Sequence, residues 1–347
     1  MTSSDAEIAG CLSRIDGELD SVLRPLIPPG ARCALLDAPD YANVGDSAIW
    51  LGEKAYLRRI GASVVYACDA AGYSEAQLAR HLGDGVILLS GGGNLGDLWP
   101  VHQRLRERVI GAFPGHRIVQ LPQSIWFEDE AHRERARAVF DAHPRLTLLV
   151  RDRRSLELAR RAFKTPSLLC PDMAHALGAR PRKQPARQEV LWLLRDDLEA
   201  RDPASPRAVE SVDWRSEPDS WVRRLERFLT EDWSWRLPAL GWTAPLLAVH
   251  DRVRDGLARQ RLERGCALLA RGEVVVTDRL HGHLLSLLLG IPHVLLDNSY
   301  GKVRSYHETW TRTCGLARWA RSTEEASVLA ADLARATRAP ASAAMST

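Results

Sequence analysis

The sequence predicts an α/β protein with two domains, each built around a parallel sheet. The chain has 347 residues, more than one ordinary hydrophobic core accommodates. From about residue 32, short apolar runs alternate with amphipathic segments, as expected for buried strands covered by helices on both faces. The Pro-, Arg- and Gln-rich stretch Ala179–Gln188 interrupts this alternation and indicates a linker between the domains.

The first domain is predicted over residues 31–178, after a helical segment at residues 1–30. Its apolar runs are too short for helices and lie between segments with helical periodicity. The predicted strands are Cys33–Leu36, Ser63–Ala67, Val86–Ser90, Arg117–Leu121 and Leu146–Val150. The predicted helices are Asp46–Arg59, 74–82, 100–111, 129–142 and 153–163. This order is typical of a doubly wound parallel sheet.

A second, smaller α/β domain is predicted over residues 189–322, beyond the linker at 179–188. Its strands are expected at Glu189–Leu194, around Val274 and at His293–Leu296. Its helices are expected near 219–230, from about Ala244 to Ala270 and around Leu284. A final helix is predicted at 323–338. The small, polar residues 339–347 predict a disordered tail.

Composition excludes several classes of protein. The net charge of only +3 fits an anionic small substrate or an anionic membrane surface better than nucleic acid. The six cysteines are scattered without metal-ligand spacing, so no metal is expected and all six are predicted to be reduced and buried.

The polar N-terminus does not resemble a signal peptide. The longest apolar run, Leu284–Leu296, is too short to span a bilayer. We therefore expect a cytoplasmic protein, able to lie peripherally on the inner face of the membrane.

Polar or glycine-rich segments follow nearly every predicted strand. Ligand sites of open α/β sheets lie outside the carboxyl ends of the strands. This pattern therefore predicts one site to which the segments after many strands contribute residues. The segments are Tyr41–Asp46, Gly91–Asp97, Pro122–Ser124, Arg151–Asp152, Arg195–Asp197, Asp278–His281 and Asp297–Lys302. We expect them to converge on a cleft between the two domains.

The most informative stretch follows the strand around Val274. There Arg279 and His281 lie in a turn that leads into an apolar helix ending before Gly290. A cation and an imidazole at a helix N-terminus favour a bound anion, because the free N–H groups and the helix dipole attract negative charge. The alternative is that Arg279 and His281 cap the helix and pair with Asp278. His283 is predicted to be structural.

Two common nucleotide sites are absent from the sequence. Gly91–Gly93 lets the backbone approach a ligand closely, but it does not form a G-x-G-x-x-G fingerprint and no acidic residue is placed for a ribose. No G-x-x-x-x-G-K-[ST] segment occurs either. The sequence therefore argues against NAD and against a nucleoside triphosphatase.

Taken in order, the polar segments resemble the polysaccharide pyruvyl transferase family. The resemblance covers about residues 32–310, and no single motif carries it. The matching motifs are Asn43-Val-Gly45-Asp46, Gly91-Gly-Gly-Asn94-Leu-Gly-Asp97, Leu121-Pro-Gln-Ser124, Arg151-Asp152, Cys170-Pro-Asp172, Leu193-Leu-Arg195-Asp-Asp197, Arg279-Leu-His281-Gly282 and Asn298–Arg304 with Lys302. The segment around Trp233, Trp235 and Trp242 does not match the family; it would stack on sugars, lie at a membrane interface or pack in a core.

The resemblance implies both architecture and activity. It implies two facing Rossmann-like domains, as in glycosyltransferases of the B type, with the active site in the cleft between them. It implies transfer of the enolpyruvyl part of phosphoenolpyruvate (PEP) to sugar hydroxyls of a surface polysaccharide or its lipid-linked precursor, giving a pyruvate ketal. PEP is then the donor substrate, and no further cofactor is expected.

Roles for individual residues follow from the resemblance and from their chemistry. His281 is the predicted acid/base and Arg279 its catalytic partner. The predicted donor-binding residues are Arg151, Lys302, Arg195, Gly92, Gly93 and Asn94. The predicted acceptor-binding residues are Asn43, Asp46, Asp97 and Gln123.

Structural alternatives stay open for several of these residues. Arg151 could pair with Asp152 or Glu157, and Lys302 could be solvated. Asn43 and Asp46 could simply cap the first helix of the domain.

Two other functions remain open at this point. A glycosyltransferase on the same framework would bind a nucleotide sugar instead of PEP. A non-catalytic carbohydrate-binding protein would retain the fold with a decayed site, although Arg151, Arg279, His281 and Lys302 are all present. The sequence does not indicate an oligomeric state.

Overall fold

The computed structural model describes residues 3–195, 211–214 and 244–338. The predicted helix near 219–230, the Trp-containing segment at 233–242 and the tail at 339–347 lie outside these residues. The chain divides into two units. The amino-terminal unit comprises Arg14–Leu177 and Ser216–Leu262, and the carboxy-terminal unit comprises Met1–Ser13, Gly178–Arg215 and Glu263–Thr347.

The amino-terminal unit contains a seven-stranded parallel sheet. Its strands are β1 (Arg32–Leu36), β2 (Ser63–Cys68), β3 (Val86–Leu89), β4 (Gly92–Gly96), β5 (Ile118–Trp126), β6 (Leu146–Val150) and β7 (Ser167–Leu169). The strand order is β2-β1-β3-β5-β6-β7, and β4 pairs with the far end of β5. Every pair is parallel, and β3 is buried along its whole length, as expected for a sheet covered on both faces.

One helix precedes the first strand, the other helices follow strands of the sheet, and four of them begin at a polar cap. The helices are α1 (Ser3–Leu23), α2 (Val44–Arg59), α3 (Glu75–Leu82), α4 (Pro100–Ala112), α5 (Glu130–Ala142), α6 (Arg153–Ala162) and a 3₁₀ turn at Met173–Leu177. The side chains of Asn43, Ser74, Asp129 and Asp152 each accept a hydrogen bond from a backbone N–H in the first turn of α2, α3, α5 and α6. These bonds satisfy donors that a helix start leaves unpaired.

The carboxy-terminal unit contains a four-stranded parallel sheet in the order β11-β10-β9-β8. The strands are β8 (Gln188–Leu193), β9 (Gly272–Thr277), β10 (His293–Leu295) and β11 (Ala317–Trp319). The helices are α8 (Leu280–Leu288), α9 (Lys302–Tyr306) with a π-helical turn at His307–Thr311, and α10 (Thr323–Arg338). Helix α7 (Ala244–Leu269) ends in this unit. Ala326, Ala330 and Ala334 of α10 pack on Val274 and Val276 of β9.

The mixed α/β class and the parallel sheets predicted from the sequence are confirmed. Three strands were not predicted. Strands β7 and β11 have only three residues each, and β4 consists largely of glycine, which is rare inside strands. Gly92 and Gly93, whose backbone was predicted to approach a ligand, thus begin a strand. The facing arrangement of two domains stays a prediction.

Strand β5 continues well beyond its predicted end at Leu121. Pro122 lies inside it, where a proline ordinarily removes a ladder hydrogen bond. The register between β5 and β6 shifts between Gln120 and Gln123, so the proline occupies an irregular point of the pairing. This irregularity lets β5 extend to Trp126 and pair with β4.

The prediction of six reduced cysteines is wrong for one pair. The structure joins Cys11 of α1 to Cys314, which precedes β11, in a disulfide within the carboxy-terminal unit. The two residues are 303 positions apart, so spacing along the sequence gave no indication of the pairing. The other four cysteines are free and buried.

Among the helices of the described residues, none combines the length and apolar character required to cross a bilayer.

Substituting Gly96 with alanine should strongly destabilise the amino-terminal unit. A Cβ at this position would lie 1.6 Å from the carbonyl oxygen of Trp126, and the φ of Gly96 is +130°. The β4–β5 pairing would have to open, at a cost of about 3 kcal/mol or more in the free energy of unfolding measured by denaturant titration. Gly111→Ala in α4 is the control, because no atom lies within 4 Å of its added Cβ. Gly111→Ala should raise the free energy of unfolding by up to about 1 kcal/mol. Equal effects of the two substitutions would contradict this account.

Candidate active site

From its strand order, the amino-terminal unit is expected to have a crevice at the carboxyl ends of β1 and β3. The chain leaves β1 towards β2 on one side and β3 lies on the other, so the direction of winding reverses there. Such a reversal separates the following loops and leaves space for a ligand. The segments at this position are residues 37–43 after β1 and residues 90–91 after β3.

Asp37 is the first residue after β1 and has an unusual backbone. Its φ is +71°, the one positive value among the non-glycine residues that the structure describes. Its buried carboxylate accepts a hydrogen bond from Nδ1 of His102 at 2.6 Å and from Nδ2 of Asn94 at 3.2 Å. A left-handed backbone outside glycine costs free energy and commonly marks a functional site.

A network of amide and guanidinium groups supports Asp37 from the protein interior. The Oδ1 atom of Asn94 accepts hydrogen bonds from Arg106 at 2.9 Å and from Gln123 at 2.7 Å. Arg106 also donates to Oε1 of Gln120 at 2.5 Å. Burial lowers the pKa of Arg106 to about 10, which still leaves it charged at neutral pH. The network therefore places a buried cation behind the carboxylate of Asp37.

His102 lies in the first turn of α4 and faces this crevice edge. Burial lowers the pKa of His102, but the hydrogen bond and the charge of Asp37 raise it more, so the net shift is upward. The ring of Tyr41 packs edge-on against the imidazole, with 5.9 Å between centroids. Tyr41 and Trp99 are among the few exposed large apolar side chains, at 37% and 42%. A histidine that is oriented by a carboxylate and packed against an aromatic ring suits acid/base chemistry.

Glu53 of α2 is a buried carboxyl group beneath the segment that follows β3. It accepts hydrogen bonds from the Ser90 hydroxyl at 3.0 Å and from the Gly91 N–H at 2.7 Å. Burial raises the pKa of Glu53 to about 8, outweighing these hydrogen bonds. A Cβ at Gly91 would lie 2.7 Å from the carbonyl of Pro122, so only glycine fits between Glu53 and β5.

Arg151 follows β6 and is almost completely buried. Its Nε donates to the Ser124 hydroxyl at 2.9 Å and its Nη1 to the carboxylate of Asp172 at 2.6 Å. Its carboxylate partner is therefore Asp172, and not Asp152 or Glu157 as in the structural alternative considered from the sequence. Asp152 instead accepts from Ser124 and caps α6. The backbone N–H of Arg151 donates to the carbonyl of Gln123, which places this cation beside the Asn94–Gln123 network.

The predicted acceptor-binding residues divide into two groups. Asn43 caps α2 and donates from Nδ2 to Asp46 at 2.6 Å. Gly92 lies beside them, because a Cβ there would be 3.6 Å from a carboxylate oxygen of Asp46. Asp97 lies at the other end of β4 and accepts from the backbone N–H groups of residues 128 and 129. The structure brings Asn43, Asp46, Gly92, Asn94, Gln123 and Arg151 together around β4 and β5, and Asp97 apart from them.

In the carboxy-terminal unit, Arg279 occupies the N-cap position of α8. Its side chain makes no capping hydrogen bond and instead donates to the carboxylate of Asp213 at 2.6 Å. Asp278 accepts a hydrogen bond from the backbone N–H of Arg195 at 2.9 Å. Burial raises the pKa of Asp278 to about 6, although that N–H and the charge of Arg279 act in the opposite direction. The predicted alternative, a capping Arg279 paired with Asp278, is therefore not what the structure contains.

His281 lies one residue into α8, partly exposed, with Gly282 next to it. A Cβ at Gly282 would lie 2.5 Å from the Thr277 hydroxyl, so glycine lets the start of α8 approach the end of β9. Lys302 begins α9 and is buried rather than solvated; its ammonium donates to the Tyr300 hydroxyl at 2.9 Å. Its backbone N–H donates to Oδ1 of Asn298 at 2.9 Å. Arg195, Arg279, His281 and Lys302 thus all follow the carboxyl ends of β8, β9 and β10.

Sequence reasoning missed Asp37, His102, Arg106, Glu53 and Asp213. Asp37 gave a usable signal, because it is the first polar residue after a strand of four buried residues. His102 and Glu53 lie inside amphipathic helices, where a polar residue is unremarkable. Asp213 lies 66 positions from Arg279 and outside any motif.

Glu53→Gln should make the stability of the protein less dependent on pH. The folded protein holds the Glu53 proton up to a pKa of about 8, whereas its ordinary value is 4.5. This group therefore contributes stability that is fully present below pH 4.5 and lost as the pH rises towards 8, by at most about 1.4 kcal/mol per pH unit. Denaturant titrations at several pH values should show a flatter slope for Glu53→Gln. The control, Glu130→Gln, changes an exposed carboxylate and should keep the wild-type slope. A wild-type slope in Glu53→Gln would refute this role.

Comparisons with known proteins agree with the motifs that surround this geometry. The family described as polysaccharide pyruvyl transferase matches residues 43–300. Pyruvyl transferase 1 of Schizosaccharomyces pombe is 36% identical over 297 residues, covering 82% of this chain and 71% of that protein. The protein EpsO of Bacillus subtilis is 34% identical over 294 residues, covering 84% of this chain and 88% of that protein.

A solved structure supports the fold. The crystal structure of a functionally uncharacterized protein of Klebsiella pneumoniae superposes with a TM-score of 0.58 at 18% identity. The match covers 89% of this chain and 99% of that one. With the match to the family over most of its length and two relatives more than 30% identical, this chain belongs to the polysaccharide pyruvyl transferase family.

Proposed function

We propose that this protein transfers the pyruvyl group of PEP to two hydroxyls of a sugar in a surface polysaccharide or its lipid-linked precursor. A proton adds to the methylene carbon of PEP and makes it a methyl group. One sugar hydroxyl forms a C–O bond to the central carbon, the C–O bond to phosphate breaks, and a second hydroxyl completes the ketal. Two hydroxyl protons leave the sugar, one proton enters the methyl group, and inorganic phosphate is released. The family membership together with Arg279 and His281 at the start of α8 carries this proposal.

Cations at the carboxyl ends of β9 and β10 supply the donor subsite. PEP carries about three negative charges on its carboxylate and phosphate groups near neutral pH. Arg279 presents a planar guanidinium suited to either group, and the first turn of α8 adds free N–H groups and the positive end of its dipole. Lys302, held by Tyr300, adds a second cation. Arg195, Arg151 and the backbone of Gly92, Gly93 and Asn94 complete the donor-binding residues that we propose.

His281 is the proposed acid that protonates the methylene carbon. An anion bound at the start of α8 would bring the methylene carbon of the donor close to the imidazole of His281. Because Arg279 is the residue before the first turn that carries His281, the acid and the anion ligand share one rigid element.

The acceptor subsite is proposed around His102 in the amino-terminal unit. Asp37 accepts from Nδ1 of His102, which leaves Nε2 to accept a proton from a sugar hydroxyl. The exposed rings of Tyr41 and Trp99 offer apolar faces on which a pyranose can stack. Asn43 and Asp46 add polar groups beside Tyr41. We propose a cytoplasmic enzyme, since PEP is made in the cytoplasm, that meets a lipid-linked acceptor at the inner face of the membrane.

Calorimetric titration with PEP tests the donor subsite. We expect saturable binding, weakened about tenfold or more by Arg279→Gln because a charged hydrogen-bonding partner is lost. His281→Ala should bind PEP and lose at least about a hundredfold in turnover, measured as phosphate release with an acceptor. Arg335→Gln is the control, a substitution of an exposed arginine on α10. Titrations with and without acceptor saccharides test ordered binding. If the protein binds a nucleotide sugar and does not bind PEP, either with or without an acceptor saccharide, the result would favour a glycosyltransferase.

His102→Asn tests the acceptor subsite separately. An amide keeps a hydrogen bond to Asp37 but cannot take a proton. We expect a loss of about a hundredfold in turnover with the affinity for PEP unchanged. The control is His116→Asn, because His116 precedes β5 and hydrogen-bonds through Nε2 to the carbonyl of Gly83 instead of to a carboxylate. A His102→Asn enzyme with wild-type turnover would remove His102 from the mechanism.

A further inference from the structure

A continuous hydrogen-bonded chain of three histidines and one threonine lies buried in the carboxy-terminal unit. We name it the imidazole chain: His293, His283, Thr311 and His307. His283, His293 and Thr311 are fully buried and His307 is 8% exposed. His283 Nδ1 lies 2.6 Å from His293 Nε2, His283 Nε2 lies 2.7 Å from Thr311 Oγ1, and His307 Nδ1 lies 2.9 Å from the same hydroxyl.

The direction of every hydrogen bond in the imidazole chain follows from one end. His293 Nδ1 lies 2.7 Å from the carbonyl oxygen of Ile291, which can only accept, so Nδ1 of His293 carries the proton. Burial lowers the pKa of His293 to about 4, and the imidazole is therefore neutral near pH 7. A neutral ring with its proton on Nδ1 has a lone pair on Nε2. His283 must then donate to it from its own Nδ1.

The same argument continues to the other end. In the neutral form of His283 the single proton is on Nδ1, and its Nε2 then accepts a hydrogen bond from the hydroxyl of Thr311. The Thr311 oxygen in turn accepts from Nδ1 of His307. The hydroxyl has an alternative acceptor in the carbonyl of His307, but that oxygen is 3.5 Å away. Three rings therefore share one tautomer, and all bonds of the imidazole chain run towards Ile291.

The imidazole chain is not arranged as a metal site. Among the described residues, no group of three His, Cys, Asp or Glu side chains has the geometry to hold a metal ion. The rings instead face one another and Thr311. Around His307 lie the ring of Trp319, stacked at 6.4 Å between centroids, the imidazole of His283, and the charges of Glu308 and Arg312.

The elements that the imidazole chain joins are those that carry the proposed donor ligands. His283 lies in the first turns of α8, two residues after His281, and its N–H donates to the carbonyl of Arg279. Thr311 and His307 form the π-helical turn that continues α9, which begins at Lys302. His293 begins β10, and this strand leads to Asn298, the acceptor for the N–H of Lys302. π-Helical turns are rare and frequent at functional sites.

We propose that the imidazole chain is a positioning device, which fixes α8 against α9 and thereby sets Arg279 and His281 at a fixed distance from Lys302. The inference rests on the proposed function in one respect, namely that PEP is the anion that these residues bind. Thr311 is the critical member, because it is the one link between the two helices that has to donate and accept at once. Apolar packing of α8 alone would allow the helix to slide, whereas hydrogen bonds of fixed direction hold one register.

Thr311→Val tests this inference, because valine keeps the shape of threonine and removes the hydroxyl. We expect a folded protein in which the affinity for PEP, measured by calorimetry, falls about tenfold. Thr311→Ser restores the hydroxyl and should bind PEP within about twofold of the wild type. The matched control is Ser286→Ala, which removes a buried hydroxyl of α8 that has no hydrogen-bond partner in the described part of the chain. It should leave the affinity unchanged.

Nuclear magnetic resonance of the wild type and variants supplies a readout independent of PEP. The ¹⁵N shifts of the imidazoles should show the Nδ1–H tautomer for His283, His293 and His307. Thr311→Val should move the backbone amide resonances of His281 and Lys302, and Ser286→Ala should leave that of Lys302 in place. An Nε2–H tautomer at His283, or unmoved His281 and Lys302 resonances in Thr311→Val, would overturn the inference. A wild type that fails to bind PEP while these resonances move would refute the proposed function and retain the positioning role.

Discussion

One constraint organises the amino-terminal unit. The carboxylate of Asp37 is buried just beyond the carboxyl end of β1, and its negative charge must be compensated there. The left-handed backbone of Asp37 turns the chain out of β1 immediately. A buried charge is tolerated only when it is paired and hydrogen-bonded. His102, Asn94 and, behind them, Arg106 meet that requirement. The glycines of β4 and the irregular register of β5 let Asn94 and Gln123 come within hydrogen-bond distance of each other, and so allow this network to form.

In the carboxy-terminal unit the charged groups of the candidate site are cations rather than a carboxylate. Its cations lie at the ends of strands. Arg279 is held by Asp213 from a distant segment, and Lys302 is held by Tyr300 within its own segment. A guanidinium held in this way loses little conformational freedom when it binds an anion, which favours the affinity for a small anionic ligand. The two units thus differ in the charge they present at their strand ends: a held carboxylate with an imidazole in the amino-terminal unit, and held cations in the carboxy-terminal unit.

The positions of the candidate residues could largely be predicted from the sequence, but their partners could not. Strand ends are local features, so Arg151, Arg279 and Lys302 were identifiable from the apolar runs before them. The tight approach of α8 to β9 at Gly282 was also encoded locally. Asp172 beside Arg151 and Asp213 beside Arg279 depend on tertiary packing across 21 and 66 positions. His102 was missed because one polar residue in an amphipathic helix carries no signal until its neighbour Asp37 is located. The strand β4 was missed because it consists largely of glycine, and its last glycine, Gly96, is required by packing against Trp126 rather than by a turn.

The division of the chain has a consequence for the order of events during synthesis. The carboxy-terminal unit begins with Met1–Ser13 and resumes only at Gly178, so the sequence of the seven-stranded sheet is inserted into it. On the ribosome, the inserted sheet can condense while β9, β10 and α10 are still unmade, since domains generally fold as units as the chain emerges. Cys11 then waits for Cys314, which emerges some 300 residues later. The disulfide between these two thiols can therefore form only late, after the chain has been synthesised as far as Cys314.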